Sequence, residues 1–186
     1  MEEEKKRKKG KVFISILLSS LLAATLSFFI ERNAVITKKS TISRHFKQFA
    51  LTEFNEDVNI VLEKEVGEQY LILYTHRDRN KEKEIGLVRY KKMKLIPLYE
   101  FEQYYQPQES SLGTDSLNNY QFIVYGNREE LDADYFTYRK NIEFKHVSLT
   151  AKDFFIHIET FEDMFLVPRV NFYSKDSGIV ASTRAK

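Results

Sequence analysis

His76-Arg77-Asp78 has the composition of a phosphoryl-transfer base loop, in which the Asp takes the proton of an attacking hydroxyl and an Asn five residues later holds a metal ion. Position 83 is Lys, and no Gly-rich phosphate loop precedes the triplet, so these residues are expected in a solvated turn. His157 and Glu159 would share one face of a strand, but two ligands without a third do not define a zinc site, and His45 and His146 are dispersed. Glu129, Glu130, Asp132 and Asp134 could draw a calcium ion, yet the Gly and terminal Glu of a calcium loop are missing, which favours a solvated turn. The chain has no Cys and no G-x-S-x-G elbow, so nucleophilic hydrolysis has no support. Paired carboxylates for glycoside hydrolysis are defined in space rather than in sequence, which keeps an envelope hydrolase with scattered acids as the alternative function. Six Gly supply no dinucleotide or phosphate fingerprint, and no cofactor or metal is expected.

The aromatic residues are the other chemical resource. Fifteen Phe and eleven Tyr exceed what a few surface contacts need, so most are expected in sheet packing. The dense run Tyr99-Glu100-Phe101-Glu102-Gln103-Tyr104-Tyr105 borders a Ser-, Gly- and Asp-containing segment, 106–119, that reads as a long loop or a boundary between half-sheets. Tyr99, Tyr104 and Tyr105 are therefore the candidate contact patch for a protein or a wall polymer.

The chemistry has to be placed relative to a membrane. Val12 to Ile30 is a run of 19 residues without charge, Gly or Pro, about 28 Å long as a helix and close to the roughly 30 Å hydrocarbon core of a bilayer. It is longer than a signal-peptide core and passes through Phe28-Phe29-Ile30 into Glu31 without an A-x-A site, so an uncleaved anchor is expected. Lys5, Lys6, Arg7, Lys8, Lys9 and Lys11 precede it and point to a cytoplasmic N-terminus with the rest extracytoplasmic. Gly10 after a basic tail suggests pilin-like processing, but Lys11 and Ser15 stand where that processing needs an apolar residue and a Glu; a pilin-like assembly subunit is thus a further alternative. Ser15, Ser19, Ala23 and Ser27 recur every fourth position and would let a second transmembrane helix, a copy or another protein, approach closely. Of 29 Lys and Arg, six lie before the apolar run with three of the 27 acids; the remaining 23 and 24 nearly cancel, which leaves no basic field for nucleic acid.

The positioning elements follow from periodicity. Residues 1–11 form the basic tail, 12–30 the anchor, 31–40 a connector, 41–182 one β-rich domain and 183–186 a tail. Ile42, Phe46, Phe49 and Ala50 fall at helical spacing and predict a short amphipathic helix over Thr41 to Phe54. Val58 to Glu63, Gln69 to Thr75, Ile85 to Tyr90 and Leu95 to Phe101 predict an antiparallel meander. A second β series runs over Tyr120 to Tyr125, Tyr135 to Tyr138, Ile142 to Leu149, Phe154 to Ile158, Val170 to Tyr173 and Ile179 to Ala181. The fold class is α+β, mainly antiparallel β, as two packed sheets or one strongly curved sheet.

The order helix, Val58-Asn59-Ile60-Val61, Tyr70-Leu71-Ile72-Leu73-Tyr74, Ile85-Gly86-Leu87-Val88-Arg89-Tyr90, Phe122-Ile123-Val124-Tyr125-Gly126, Asp153-Phe154-Phe155-Ile156 and Val170-Asn171-Phe172-Tyr173 before Asp176 and Gly178 resembles small anchored or exported domains of Gram-positive, Bacillus-type bacteria. The resemblance implies an envelope location and no assigned activity; without an N-terminal Cys, anchoring would fall to the apolar helix. The expectation is a single-pass, membrane-anchored binding module that acts through the bilayer and a membrane or envelope protein, or through self-association.

Overall fold

The computed structural model describes residues 16–21, 36–55, 57–77, 83–105, 111–150, 153–176 and 178–183. In chain order the elements are β1 (Ile36–Lys38), a 3-10 turn (Lys39–Thr41), α1 (Ile42–Phe49) running on into a wider turn (Ala50–Phe54), β2 (Asn59–Val66), β3 (Gln69–Arg77), β4 (Lys83–Lys92) and β5 (Leu98–Tyr105). The second series is β6 (Leu112–Asn118), β7 (Gln121–Asn127), α2 (Arg128–Leu131), β8 (Tyr135–Lys140), β9 (Glu143–Ser148), β10 (Phe154–Thr160), β11 (Val170–Tyr173) and β12 (Ile179–Ser182).

These strands form three antiparallel sheets: sheet A in the order β1-β5-β4-β3-β2, sheet B as β10-β7-β6, and sheet C as β12-β11-β8-β9. Two sheets, or one curved sheet, were expected; the third arises because the central strands are buried on both faces. In β3, Tyr70, Ile72 and Tyr74 pack under α1, while Leu71 and Leu73 pack against Ile123 and Tyr125 of β7. The opposite face of β7, through Phe122 and Val124, packs on Phe136, Tyr138, Val170 and Phe172 of sheet C. The layers therefore run helix, sheet A, sheet B, sheet C. Burial on both sides explains why β3 and β7 read as continuous apolar runs instead of alternating ones.

The helix forms where expected. Ile42, Phe46 and Ala50, four apart, are buried against sheet A, with the Phe46 ring 4.7 Å from Tyr74, and the helical path ends at Asn55 in the left-handed region (φ 55°). The connector expected at 31–40 instead ends in a strand, because Ile36 to Lys38 pair with Glu100 to Leu98 of β5. Likewise β6 occupies half of the expected 106–119 loop. Gly113 stands opposite Tyr125, and a Cβ at Gly113 would lie 2.2 Å from the Tyr125 ring. The small residues that suggest a loop are thus what a strand beneath that ring requires. Gly86 repeats the arrangement under Tyr74 in sheet A, again with 2.2 Å to a built Cβ.

A bulge between Ile60 and Leu62 sets the faces of β2. Ile60 packs on the helix side, Val61 and Leu62 both turn toward sheet B, and beyond them Glu63 and Glu65 meet the hydroxyls of Tyr70 and Tyr99. Lys64 goes the other way, toward Ile156 of sheet B.

Candidate functional site

The edge strands β2, β10 and β9 of the three sheets border a groove of about 420 Å³. Leu62, Glu63 and Lys64 come from β2, Val147 to Thr150 from the end of β9, and Phe154 to His157 from β10. The backbone register says which groups face it. Arg128 N–H donates to the Asp153 carbonyl at 2.6 Å and Phe161 N–H to the Tyr120 carbonyl at 2.7 Å, so odd-numbered positions of β10 bond β7. Phe154, Ile156 and Ile158 therefore turn their N–H and C=O groups away from β7, toward the open edge. One of these acceptors, the Ile156 carbonyl, receives the Lys64 ammonium at 3.1 Å. Lysine on an exposed edge is a common guard against unwanted strand pairing.

Polar chemistry at the groove centres on His157. Its Nε2 lies 3.9 Å from Glu159 Oε2. Glu159 in turn accepts from the Tyr138 hydroxyl and, at 2.6 Å, from Lys140 Nζ, which also donates to the Thr160 carbonyl at 2.8 Å. Burial lowers the His157 pKa and the Lys64 charge adds to this, against the opposing pull of Glu159. Burial raises that of Glu159, but the hydrogen bonds from Lys140 and Tyr138 outweigh it and leave the carboxyl below its usual value. Burial, then Glu159, pushes the Tyr138 hydroxyl up. At neutral pH the cluster is a neutral imidazole beside an ionised carboxylate and an ammonium.

This set does not complete a catalytic arrangement. Among the described residues Glu63 is the single carboxylate of the groove lining, and it accepts from Ser43 at 2.7 Å and from Tyr70 on the helix side of sheet A. No second acid among the described residues lines the groove opposite it, as a hydrolytic pair would need. Among the described residues no three His, Asp or Glu side chains gather as a metal site. The acidic run is a capped turn: Asn127 accepts from Glu129 N–H and Glu130 N–H, and Arg128 pairs with Asp134 at 2.8 Å. His76 lies in β3 rather than in a turn, buried and 3.3 Å from Glu84.

The outward face of sheet C continues from the groove along β9. Tyr135 stacks on Tyr173 (4.9 Å between centroids, 6° between planes) and on His146 (4.3 Å, 24°). Phe144 is 74% exposed beside them. These rings are not set apart by aromatic density, because Tyr135 adjoins Phe136 and Tyr173 adjoins Phe172, which are buried. The signal was parity: Tyr135 and Tyr173 are out of step with the buried Phe136, Tyr138 and Phe172.

The residues singled out in the sequence fare differently. Tyr99 is 3% exposed and donates to Glu65 at 2.7 Å, so it belongs to the core rather than to a contact patch. Tyr104 is half-buried, 5.9 Å from Tyr74, and the Tyr105 side chain lies outside the described residues. Residues 16–21 are helical and exposed, with Ser19 Oγ donating to the Ile16 carbonyl at 2.9 Å. Ser15, Ala23 and Ser27 lie outside the described residues, as does most of the expected anchor. Among the described residues no helix is long and apolar enough to cross a membrane. Comparison with known protein families, with curated proteins and with solved structures found no match.

Proposed function

We propose that the chain is a single-pass, membrane-anchored binding module of a Gram-positive cell envelope, N-terminus inside, whose extracytoplasmic domain holds a segment of a partner protein in the groove between β2, β9 and β10. The observation that carries this reading is the groove itself. It is lined by apolar side chains of three sheets and bordered by outward-facing backbone groups of Phe154, Ile156 and Ile158, of which the Ile156 carbonyl is held by Lys64 until a partner strand displaces it; among the described lining residues Glu63 is the one carboxylate. Outward backbone groups suit an extended chain, which gains main-chain hydrogen bonds and seats alternate side chains in the apolar wall. The 19-residue apolar run behind six basic residues supports anchoring, and an anchored domain meets membrane partners at raised effective concentration. A photo-crosslinking residue at Thr150, in the full chain in intact cells, is expected to trap a discrete envelope protein. The same probe at Asp176, on the β11–β12 turn, is expected to trap none. Equal, diffuse labelling from both positions would reject the groove as a binding site.

A further inference from the structure

The turn between β4 and β5 presents apolar side chains to solvent where packing does not require it. Leu95 is 97% exposed and Ile96 42%. Lys91, Lys92 and Lys94, all exposed, flank them on the N-terminal side. Lys38 joins from the neighbouring strand, where it stands opposite Leu98, and Lys39 from the turn that follows. The turn is shaped rather than slack: Met93 N–H donates to the Leu98 carbonyl at 2.9 Å and Leu98 N–H to the Ile96 carbonyl at 2.8 Å, which closes the backbone beneath the tip. Of the five lysines, Lys39 is held by Glu65.

An apolar tip with a basic collar is the chemistry of an interfacial anchor, where Leu and Ile enter the acyl boundary and lysines meet anionic headgroups. The chain path brings such a surface within reach. β1, which lies against β5, begins at Ile36, six residues after the apolar run ends at Ile30; at about 3.3–3.6 Å per residue the chain between them spans at most ~22 Å. We infer that Leu95 and Ile96, with the lysines around them, dock on the anionic lipid surface of the same bilayer that holds the anchor. This rests on the anchor reading of residues 12–30. Two attachments, one through the helix and one through the turn, fix the tilt of the three sheets over the membrane and so the direction in which the groove opens.

The absence of Cys makes a single introduced thiol a unique label. The full chain carrying Leu95→Cys or Ser19→Cys, each labelled with an environment-sensitive fluorophore, is reconstituted in vesicles of phosphatidylcholine with or without phosphatidylglycerol and with brominated acyl chains as quencher. The label at 95 is expected to shift to the blue and be quenched when phosphatidylglycerol is present. Charge reversal at Lys91 and Lys94 is expected to weaken its partitioning roughly fivefold or more per position. The label at 19 reports the anchor independently. Quenching at 19 but not at 95 overturns the docking and leaves the anchor standing, whereas quenching at neither overturns both. Quenching at 95 that ignores phosphatidylglycerol and both charge reversals also overturns the proposal, because the anionic surface then plays no part.

Discussion

The two outermost β layers solve the same problem in opposite ways. The outer face of sheet A is covered by α1, and three of its tyrosines are tied by their hydroxyls: Tyr70 to Glu63, Tyr99 to Glu65 at 2.7 Å, and Tyr90 to His45 at 2.8 Å. Among the described residues no helix covers the outer face of sheet C; Tyr135 and Tyr173 stack on each other, with Ile179 exposed opposite Tyr173 and Phe144 exposed farther along β9. Burial raises the Tyr99 hydroxyl pKa to about 12, with the hydrogen bond to Glu65 adding to the effect. Tyrosine here is thus two materials: a space-filling core residue with an obligatory polar contact under the helix, and a stiff surface plate on the open face.

Substitutions can break that contrast, beginning with its covered side. Phe46→Ala removes the ring that α1 lays on Tyr74, and should cost about 3–5 kcal/mol in chemical unfolding; a loss below about 1 kcal/mol would mean that the helix is not part of the core. Gly86→Ala drives a methyl into the Tyr74 ring and should cost about 1–3 kcal/mol by overpacking. Replacing Tyr74 with Leu in the same chain should recover part of that loss, and additivity of the two changes would refute the interlock. Acid should act through sheets B and C. His157 has a folded pKa below 6.5 and Glu159 one below 4.5. The neutral imidazole therefore stabilises above about pH 6.5 and its contribution is lost as pH falls toward the folded value. The Glu159 contribution is lost in turn as pH falls through its own folded value. Melting temperature should decline on acidification, and His157→Gln should flatten the first part of the decline. The smallest effect is expected on the open face, where Phe144→Ser should change stability by within about 0.5 kcal/mol; a larger loss would show that this face is covered in solution.

The difference between the faces also explains what was legible in the sequence. The helix and nearly every strand announce themselves through periodicity, because Ile42, Phe46 and Ala50 or Val170 and Phe172 keep one phase relative to the core. β6 did not, since Gly113 is set by the Tyr125 ring on the neighbouring strand and the buried Thr114 is polar, so no apolar alternation marks the strand. Tyr99 was misplaced because density of aromatic residues says nothing about which face a strand turns to the helix. The groove had no local signature at all: Lys64, Thr150 and His157 meet only because three sheets stack with their edges on one side.

The bulge at Val61 gives β2 a property that goes beyond local bending. Because the side chains of a strand answer to odd and even, one extra residue inverts the sense of everything after it. The bulge leaves Val61 out of the ladder, so that Ile60 pairs with Tyr74 and Leu62 with Leu73. A straight ladder with Val61 opposite Leu73 would carry Glu63 and Glu65 into the apolar space between sheets A and B, strand the Tyr70 and Tyr99 hydroxyls under the helix, and withdraw Lys64 from the Ile156 carbonyl. A single position thus works as a sign change for the charge pattern of an entire edge, and two distant sites are correct only while that sign holds.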